Sequence, residues 1–289
     1  MDATSHTSFG FIGAGKVGIS LGAYFKSKEL DVVGYVSRNP ESARKAASIT
    51  STSSLTLKEL AAKCNMIWIT TPDDQIEKAW NELAQSELQG KLICHTSGAK
   101  DSSVFSGIAA KGAFGYSVHP MRAFPDITGK IEDLDTTGFT LEGDPTYFQQ
   151  FQQLFSRLGN KLFIIDRKHK PMYHLANVMA TNLILALLSI ATEYLSECGP
   201  FRDEPLEALM PMVEKNLTNL KHSGFINALT GPVERNDLGT VKKHLEVITP
   251  KDSCLYQILT QKLLDLAEKK HPDQDYTYLR QILETGGLN

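Results

Sequence analysis

Short apolar runs separated by amphipathic stretches set the rhythm of the first 166 residues. The runs "FGFIG" (9–13), "DVVGYVS" (31–37), "NMIWITT" (65–71), "KLICHTS" (91–97), "AFGYSVH" (113–119), "GFTLEG" (138–143) and "KLFIID" (161–166) have the length and the β-branched or aromatic content of strands. Between most of them lie segments such as "DDQIEKAWNELAQSE" and "PTYFQQFQQLFSRLG", whose apolar residues recur at helical spacing. Alternation of this kind predicts an α/β fold with a doubly wound, mostly parallel sheet covered on both faces.

After Asp166 the strand pattern stops, and the rest reads as helices punctuated by "CGPFRDEP", "TGPVERND" and "ITPKDS". Thr249 before Pro250 has the form of an N-cap followed by proline at the first helical position. A boundary near residue 167 therefore divides an α/β domain, 1–166, from an all-α domain, 167–289. The stretch "LANVMATNLILALLSIATEYL" (175–195) reads as one long apolar helix. Its Asn177, Thr181, Asn182 and Ser189 are costly in lipid but ordinary inside a protein, so a buried helix is expected and not a membrane span. So much apolar helix needs more covering than one short domain supplies, which predicts a homodimer through the helices.

Composition narrows the class. A chain of 289 residues has room for two domains, and its net charge of −3 gives no basic field for a nucleic-acid partner. The start, "MDATSHTSFGFIGAG", lacks a charged segment followed by an apolar stretch, so no secretion signal is expected. The four cysteines (Cys64, Cys94, Cys198 and Cys254) form no CxxC pair. They predict neither a metal site nor a disulfide framework, suit a reducing cytoplasm, and read as buried inert thiols.

The first candidate chemistry is Gly13-Ala14-Gly15-Lys16-Val17-Gly18, a GxGxxG run placed between a predicted strand and a predicted helix. Gly13 permits the tight turn, Gly15 lets backbone approach a pyrophosphate, and Gly18 lets the helix pack on the sheet. The helix start offers free N–H groups and the positive end of its dipole to phosphates. A carboxylate at the end of the second strand would hold the ribose of NAD(H). Here Ser37-Arg38-Asn39 stands instead, three donors without negative charge, which predicts NADP(H). Thr71-Pro72-Asp73 ends another strand at the ligand-bearing edge, where a structural turn or a helix start is an equal reading.

Two strand-to-loop segments, "ICHTSGAKDSS" and "GYSVHPMRAFP", bring His95, Ser97, Gly98, His119 and Arg122 to the same edge, to border a nicotinamide or a substrate carboxylate. The bland alternative is that the two histidines satisfy backbone groups at strand ends. In "HKPMYHLANVMATN", Lys170 and His174 are one helical turn apart, Asn177 and Thr181 continue the stripe and Asn182 flanks it. A lysine beside imidazole and amide groups could supply a proton and stabilise negative charge, unless Lys170 is a surface residue at the helix start.

The ordered set "GFIGAGKVG", "SRN", "TPDD", "HTSGA", "VHPMRAF", "KPMYHLANVMATN" and "GPVERND" resembles the Rossmann-like proteins with a DUF2520-type helical C-terminal domain. It is more distantly similar to ketopantoate reductases, pyrroline-5-carboxylate reductases, and 6-phosphogluconate and β-hydroxyacid dehydrogenases. The resemblance implies an NADPH-dependent reductase of a small carbonyl acid, 2-dehydropantoate being the named candidate. Imine reduction and a catalytically silent NADP-binding sensor are the alternatives. By analogy with the lysine and asparagine of the β-hydroxyacid group, Lys170, His174 and Asn182 are the expected catalytic residues, with Ser97, Gly98, His119 and Arg122 on the substrate. The resemblance further implies a site element from Gly231-Pro232 to Arg235 and Asp237, with Asn236 where glycine is usual. From the residues alone, "TGP" equally stops a helix and Asn236 or Asp237 equally caps one.

Overall fold

A computed structural model describes residues 7–125 and 131–285. Eight strands form one sheet: β1 (Ser8–Ile12), β2 (Asp31–Val36), β3 (Ser53–Ser54), β4 (Met66–Ile69), β5 (Leu92–His95), β6 (Phe114–Pro120), β7 (Phe139–Gly143) and β8 (Leu162–Ile164). Their order is β3-β2-β1-β4-β5-β6-β7-β8, and every pairing is parallel except β6 with β7. All seven predicted strands are present, and the order reverses direction between β1 and β4. That reversal is the switch point at which open α/β sheets bind ligands beyond the strand ends.

The central strands are apolar on both sides because both faces are covered. Every residue of β4 and of β5 is buried. Phe9, Phe11 and Trp68 pack on one face against Tyr24 and Phe25 of α1 (Lys16–Ser27) and Phe151 and Phe155 of α5 (Phe148–Leu158). Ile12, Ile67 and Ile69 pack on the other against Leu60 of α3 (Leu57–Lys63) and Trp80 and Leu83 of α4 (Ile76–Leu83). The helix α2 (Pro40–Thr50) starts directly after β2.

The chain divides into two compact units, 1–184 and 185–289. The first holds the sheet and also α6 (Lys170–Ala180). The long apolar helix expected over 175–195 is two helices. At Thr181 the backbone leaves helical geometry (φ −127°, ψ −74°), and α7 (Asn182–Ser196) follows. Nor is this stretch buried within the chain: Met172, Leu175 and Met179 are more than half exposed, and no residue of α7 is buried.

In the second unit, after α8 (Pro205–Ala228), the segment with Leu229 and Val233 joins α9 (Leu238–Val247), α10 (Pro250–Lys270) and α11 (Thr277–Thr285) in a modest core with Val241, Leu264, Ala267, Tyr276, Leu279 and Leu283. Thr249 does occupy the N-cap of α10, but its hydroxyl binds Asp252 Oδ2 at 2.8 Å and not the backbone. Asp237 caps α9 through the Thr240 N–H, and Asn236 adopts the left-handed conformation (φ +56°) that asparagine tolerates. Cys64 and Cys94 are buried as expected. Cys198, just after α7, and Cys254, on α10, are exposed, contrary to the expectation of burial.

Candidate functional site

The glycine turn closes β1 onto α1 by backbone geometry. Gly13 sits at φ +116°, where an L side chain would be strained, and the Thr70 hydroxyl donates to its carbonyl at 2.9 Å. A Cβ on Gly18 would lie 2.3 Å from the Gly13 carbonyl oxygen, so the helix can approach the turn only as glycine. Gly15 is different: a Cβ there would meet nothing within 4 Å. It is the N-cap of α1 and brings no side-chain cap, so the first N–H groups of the helix stay available to a ligand.

This turn lines a cavity of about 330 Å³ together with Ala14, Ser37, Arg38, Thr71 and Pro72. The Arg38 guanidinium donates to Gln75 Oε1 at 3.2 Å on the exposed rim, and β2 ends without a carboxylate. Bare backbone donors at one end and a guanidinium at the other suit a dinucleotide carrying a 2′-phosphate. Of the remaining predicted contacts, Asn39 caps α2, its Oδ1 accepting from the Glu41 N–H at 2.9 Å. Lys16 donates to the Pro125 carbonyl, and Val17 packs against the core at the start of α1. The Thr71 hydroxyl is buried without a partner among the described residues.

The reaction end is assembled around the loop after β5. Ser97 is spent on building it. Its hydroxyl donates to Asp73 Oδ2 at 2.6 Å and accepts from the N–H groups of Ala99 and Lys100. His95 satisfies backbone at the strand end, accepting from the Ser97 N–H at Nδ1 and meeting the Asp101 carbonyl at Nε2. Full burial pulls its pKa down to about 4.

Lys170 is not a surface residue: it is 1% exposed. Its ammonium donates to the Ser97 carbonyl at 3.0 Å and to Ser117 Oγ at 2.7 Å, which leaves one N–H of three. Burial lowers its pKa to about 8, against the opposing pull of the Glu142, Asp101 and Asp73 carboxylates.

His119 behaves unlike His95. Its Nδ1 lies 2.6 Å from the hydroxyl of Tyr173, and the two rings meet edge to face. A Cβ on Gly98 would be 2.9 Å from His119 Nε2 and 3.1 Å from His174 Nδ1, so two imidazole edges converge on a bare glycine, and the notch between them has no room even for a methyl group. His174 Nδ1 is buried and has no partner among the described residues. Desolvation, aided by Lys170 and His174, lowers the pKa of His119 to about 4, so the ring is neutral at ordinary pH.

The structure thus brings Ser97, Gly98, His119, Lys170 and His174 together. It places two expected residues elsewhere. Arg122 pairs with Asp133 at 3.3 Å and lies over the Phe124 ring. Asn182 is exposed in the first turn of α7, beyond the helix break, where its Oδ1 accepts from the Thr181 hydroxyl. Three residues of the assembly escaped the sequence reading. Tyr173 and Ser117 had as their only signal a place inside quoted segments, and Thr70 preceded the noted Thr71-Pro72 turn.

Comparison with known proteins follows the same division. A Rossmann-like domain model matches residues 3–120, and the DUF2520 domain of unknown function matches 137–263. A protein of Thermotoga maritima is similar over 91% of this chain and 99% of its own, at 25% identity and a TM-score of 0.74. A Bacteroides fragilis protein provisionally named an NADP oxidoreductase is similar over 90% and 98%, at 22% identity and a TM-score of 0.72. A reductive aminase from Aspergillus terreus, in complex with NADPH and ethyl-5-oxohexanoate, is similar over 99% and 97%, at 14% identity and a TM-score of 0.60. At 22% and 14% identity these last two are likenesses of fold. No curated protein matches the chain.

Proposed function

This chain belongs to the proteins that join a Rossmann-like domain to a DUF2520 domain, and we propose that it is an NADPH-dependent reductase of a small carbonyl acid. The observation that carries the reading is one sheet edge bearing two unlike features. One is a cavity with bare backbone donors and Arg38; the other is a polar notch at Gly98. The named candidate substrate is 2-dehydropantoate. Bound NADPH supplies a hydride to the substrate carbon.

The residues of the chain do the rest. The α1 N–H groups hold the central pyrophosphate of the dinucleotide and Arg38 its 2′-phosphate, with Ser37 beside the guanidinium. Lys170 fixes the loop that carries Gly98 and sets a positive charge behind it, which stabilises the negative charge that develops on the reacting oxygen. His119 and His174 face that position from two sides.

The likeness to a reductive aminase favours a second reading, reduction of an imine of the pyrroline-5-carboxylate type. The same site serves it, because an imine nitrogen also accepts a proton as the carbon gains hydride. NADPH oxidation across a panel of 2-keto acids and cyclic imines separates the two. Arg38→Asp is expected to lower NADPH affinity about 10- to 100-fold and to shift preference toward NADH. NADPH binding with no oxidation of any panel member would instead mark a nucleotide-binding sensor and sink both enzymatic readings.

The exposed apolar row Met172, Leu175 and Met179 on α6 belongs to the same proposal, as part of a homodimer interface. Isolated helix faces this apolar are expected to be covered by a second copy. Sedimentation at micromolar protein should give the dimer mass; a monomer there would refute it.

A further inference from the structure

Tyr173 has no role in the reductase reading, yet its 2.6 Å contact to His119 Nδ1 is as short as the Ser97–Asp73 bond that builds the loop. The geometry points to a proton-delivery pair: Tyr173 holds His119 as the Nε2–H tautomer and refills its proton, and Nε2–H donates to a carbonyl oxygen or imine nitrogen seated at Gly98. The inference rests on the reductase reading and adds to it the identity of the donor.

The tautomer follows from what each atom can do. A phenol has one proton to give, and burial raises the pKa of Tyr173, so that proton stays on the oxygen. We assign that proton to the 2.6 Å contact with Nδ1, which then accepts and carries no hydrogen. The neutral ring therefore carries its hydrogen on Nε2, the nitrogen that faces Gly98. His95 shows the contrast. It too has an accepting Nδ1, but its Nε2 is spent on the Asp101 carbonyl.

A second observation marks the same spot. His174 Nδ1, buried and without a partner among the described residues, faces Gly98 from the other side. Native proteins seldom leave such an atom unsatisfied, so a polar ligand atom in the notch accounts for both nitrogens. Only glycine fits at position 98, because even a methyl group would press on both rings.

The step balances without another reagent. As the substrate carbon gains hydride from the reduced nicotinamide, the Nε2 proton passes to the substrate oxygen or nitrogen. The Tyr173 proton passes to Nδ1, so imidazole remains neutral throughout. The resulting phenolate lies near the Lys170 ammonium, whose Nζ is 5.6 Å from the ring centre, and a solvent proton resets it. A neutral imidazole donor gains nothing from acid, so the rate should not follow a histidine titration between pH 6 and 8.

The first measurement is ring-nitrogen NMR of ¹⁵N-histidine-labelled protein with NADP⁺ bound, the His119 signals being identified by their loss in His119→Gln. Nε2–H with an unprotonated Nδ1 is expected, and Tyr173→Phe should erase the bias. A protonated Nδ1, or a tautomer unmoved in Tyr173→Phe, overturns the pair. In turnover, Tyr173→Phe should lower kcat at least tenfold with NADPH affinity unchanged. His119→Gln, whose amide nitrogen can reach the Nε2 position, should keep more activity than His119→Asn. Equal loss in the two His119 variants, or full activity in Tyr173→Phe, also overturns it. A protein that shows the tautomer but oxidises NADPH with no substrate sinks the reductase reading and leaves the donor notch standing.

Discussion

At the nucleotide end the working parts are backbone, whereas at the reaction end they are side chains gathered from distant segments. The turn at Gly13 is made by dihedral angles and by the absence of a Cβ at positions 15 and 18, all within six residues. The notch at Gly98 draws His119 from the end of β6 and Tyr173 and His174 from α6, with Lys170 reaching under the loop from 73 residues away. A backbone device needs only local sequence. A side-chain device needs the fold to be complete and each polar group to find its partner within an ångström. The glycine turn is therefore robust to everything except glycine replacement, with Arg38 the one side chain the nucleotide end adds to it, and the second end is sensitive to loss of any one member.

The sharpest way to break this contrast is to put a methyl on each of two glycines. In Gly18→Ala the new atom would press on the Gly13 carbonyl and Thr70 Oγ1, neither of which can yield without opening the turn. Loss of NADPH binding and about 1–3 kcal/mol of stability are expected. In Gly15→Ala the methyl meets no protein atom, so the melting temperature should hold while NADPH affinity falls at least tenfold. Thermal melts and fluorescence titration of both variants decide it; equal loss of stability in the two would show that position 15 is structural.

Lys170 tests the other end. Its pKa is about 8 in the folded chain and 10.5 in the unfolded one. Between those values the unfolded chain holds a proton that the native state has released, so stability rises with pH across that window and the charged form is penalised below it. Relative to Lys170→Met, the wild type should gain on the order of 2–3 kcal/mol between pH 7.5 and 10.5 in denaturant titrations. A constant difference between the two proteins would mean the ammonium is solvated and not holding the Gly98 loop.

The same contrast explains what could be read from the chain. Seven strands were legible because each carries an apolar run, even β8, whose Phe163 and Ile164 are exposed; the remaining strand, β3, is two exposed serines and carries no such signal. The glycine turn was legible to the residue. Tyr173 was not, because an aromatic in the first turns of an amphipathic helix normally packs, and its partner lies 54 residues away. Asn182 was drawn into the stripe of Lys170 and His174 by assuming an unbroken helix. At Thr181 the hydroxyl bonds back to the Asn177 carbonyl at 2.7 Å, the competition of side chain with backbone that bends helices, and the periodicity restarts. The exposed apolar faces of α6 and α7 contradicted the expectation of burial for a plain reason: hydropathy reports what must be covered, not which chain covers it.

Asn39 offers the finest test, since it stands where the two kinds of construction meet. Its place after Arg38 suggests a cofactor contact, but its Oδ1 is already the cap of α2, accepting from Glu41 N–H. A cap contributes about 1 kcal/mol, so Asn39→Ala should lose that much stability while NADPH affinity changes less than about threefold. Asn39→Asp separates charge from capping: aspartate caps as well as asparagine, so stability should hold. Its carboxylate, however, would sit beside the guanidinium meant for a 2′-phosphate, and NADPH affinity should fall while NADH affinity does not. Should Asn39→Ala keep its stability and lose NADPH tenfold or more, the amide is a ligand contact, and the nucleotide end depends on a second side chain after all.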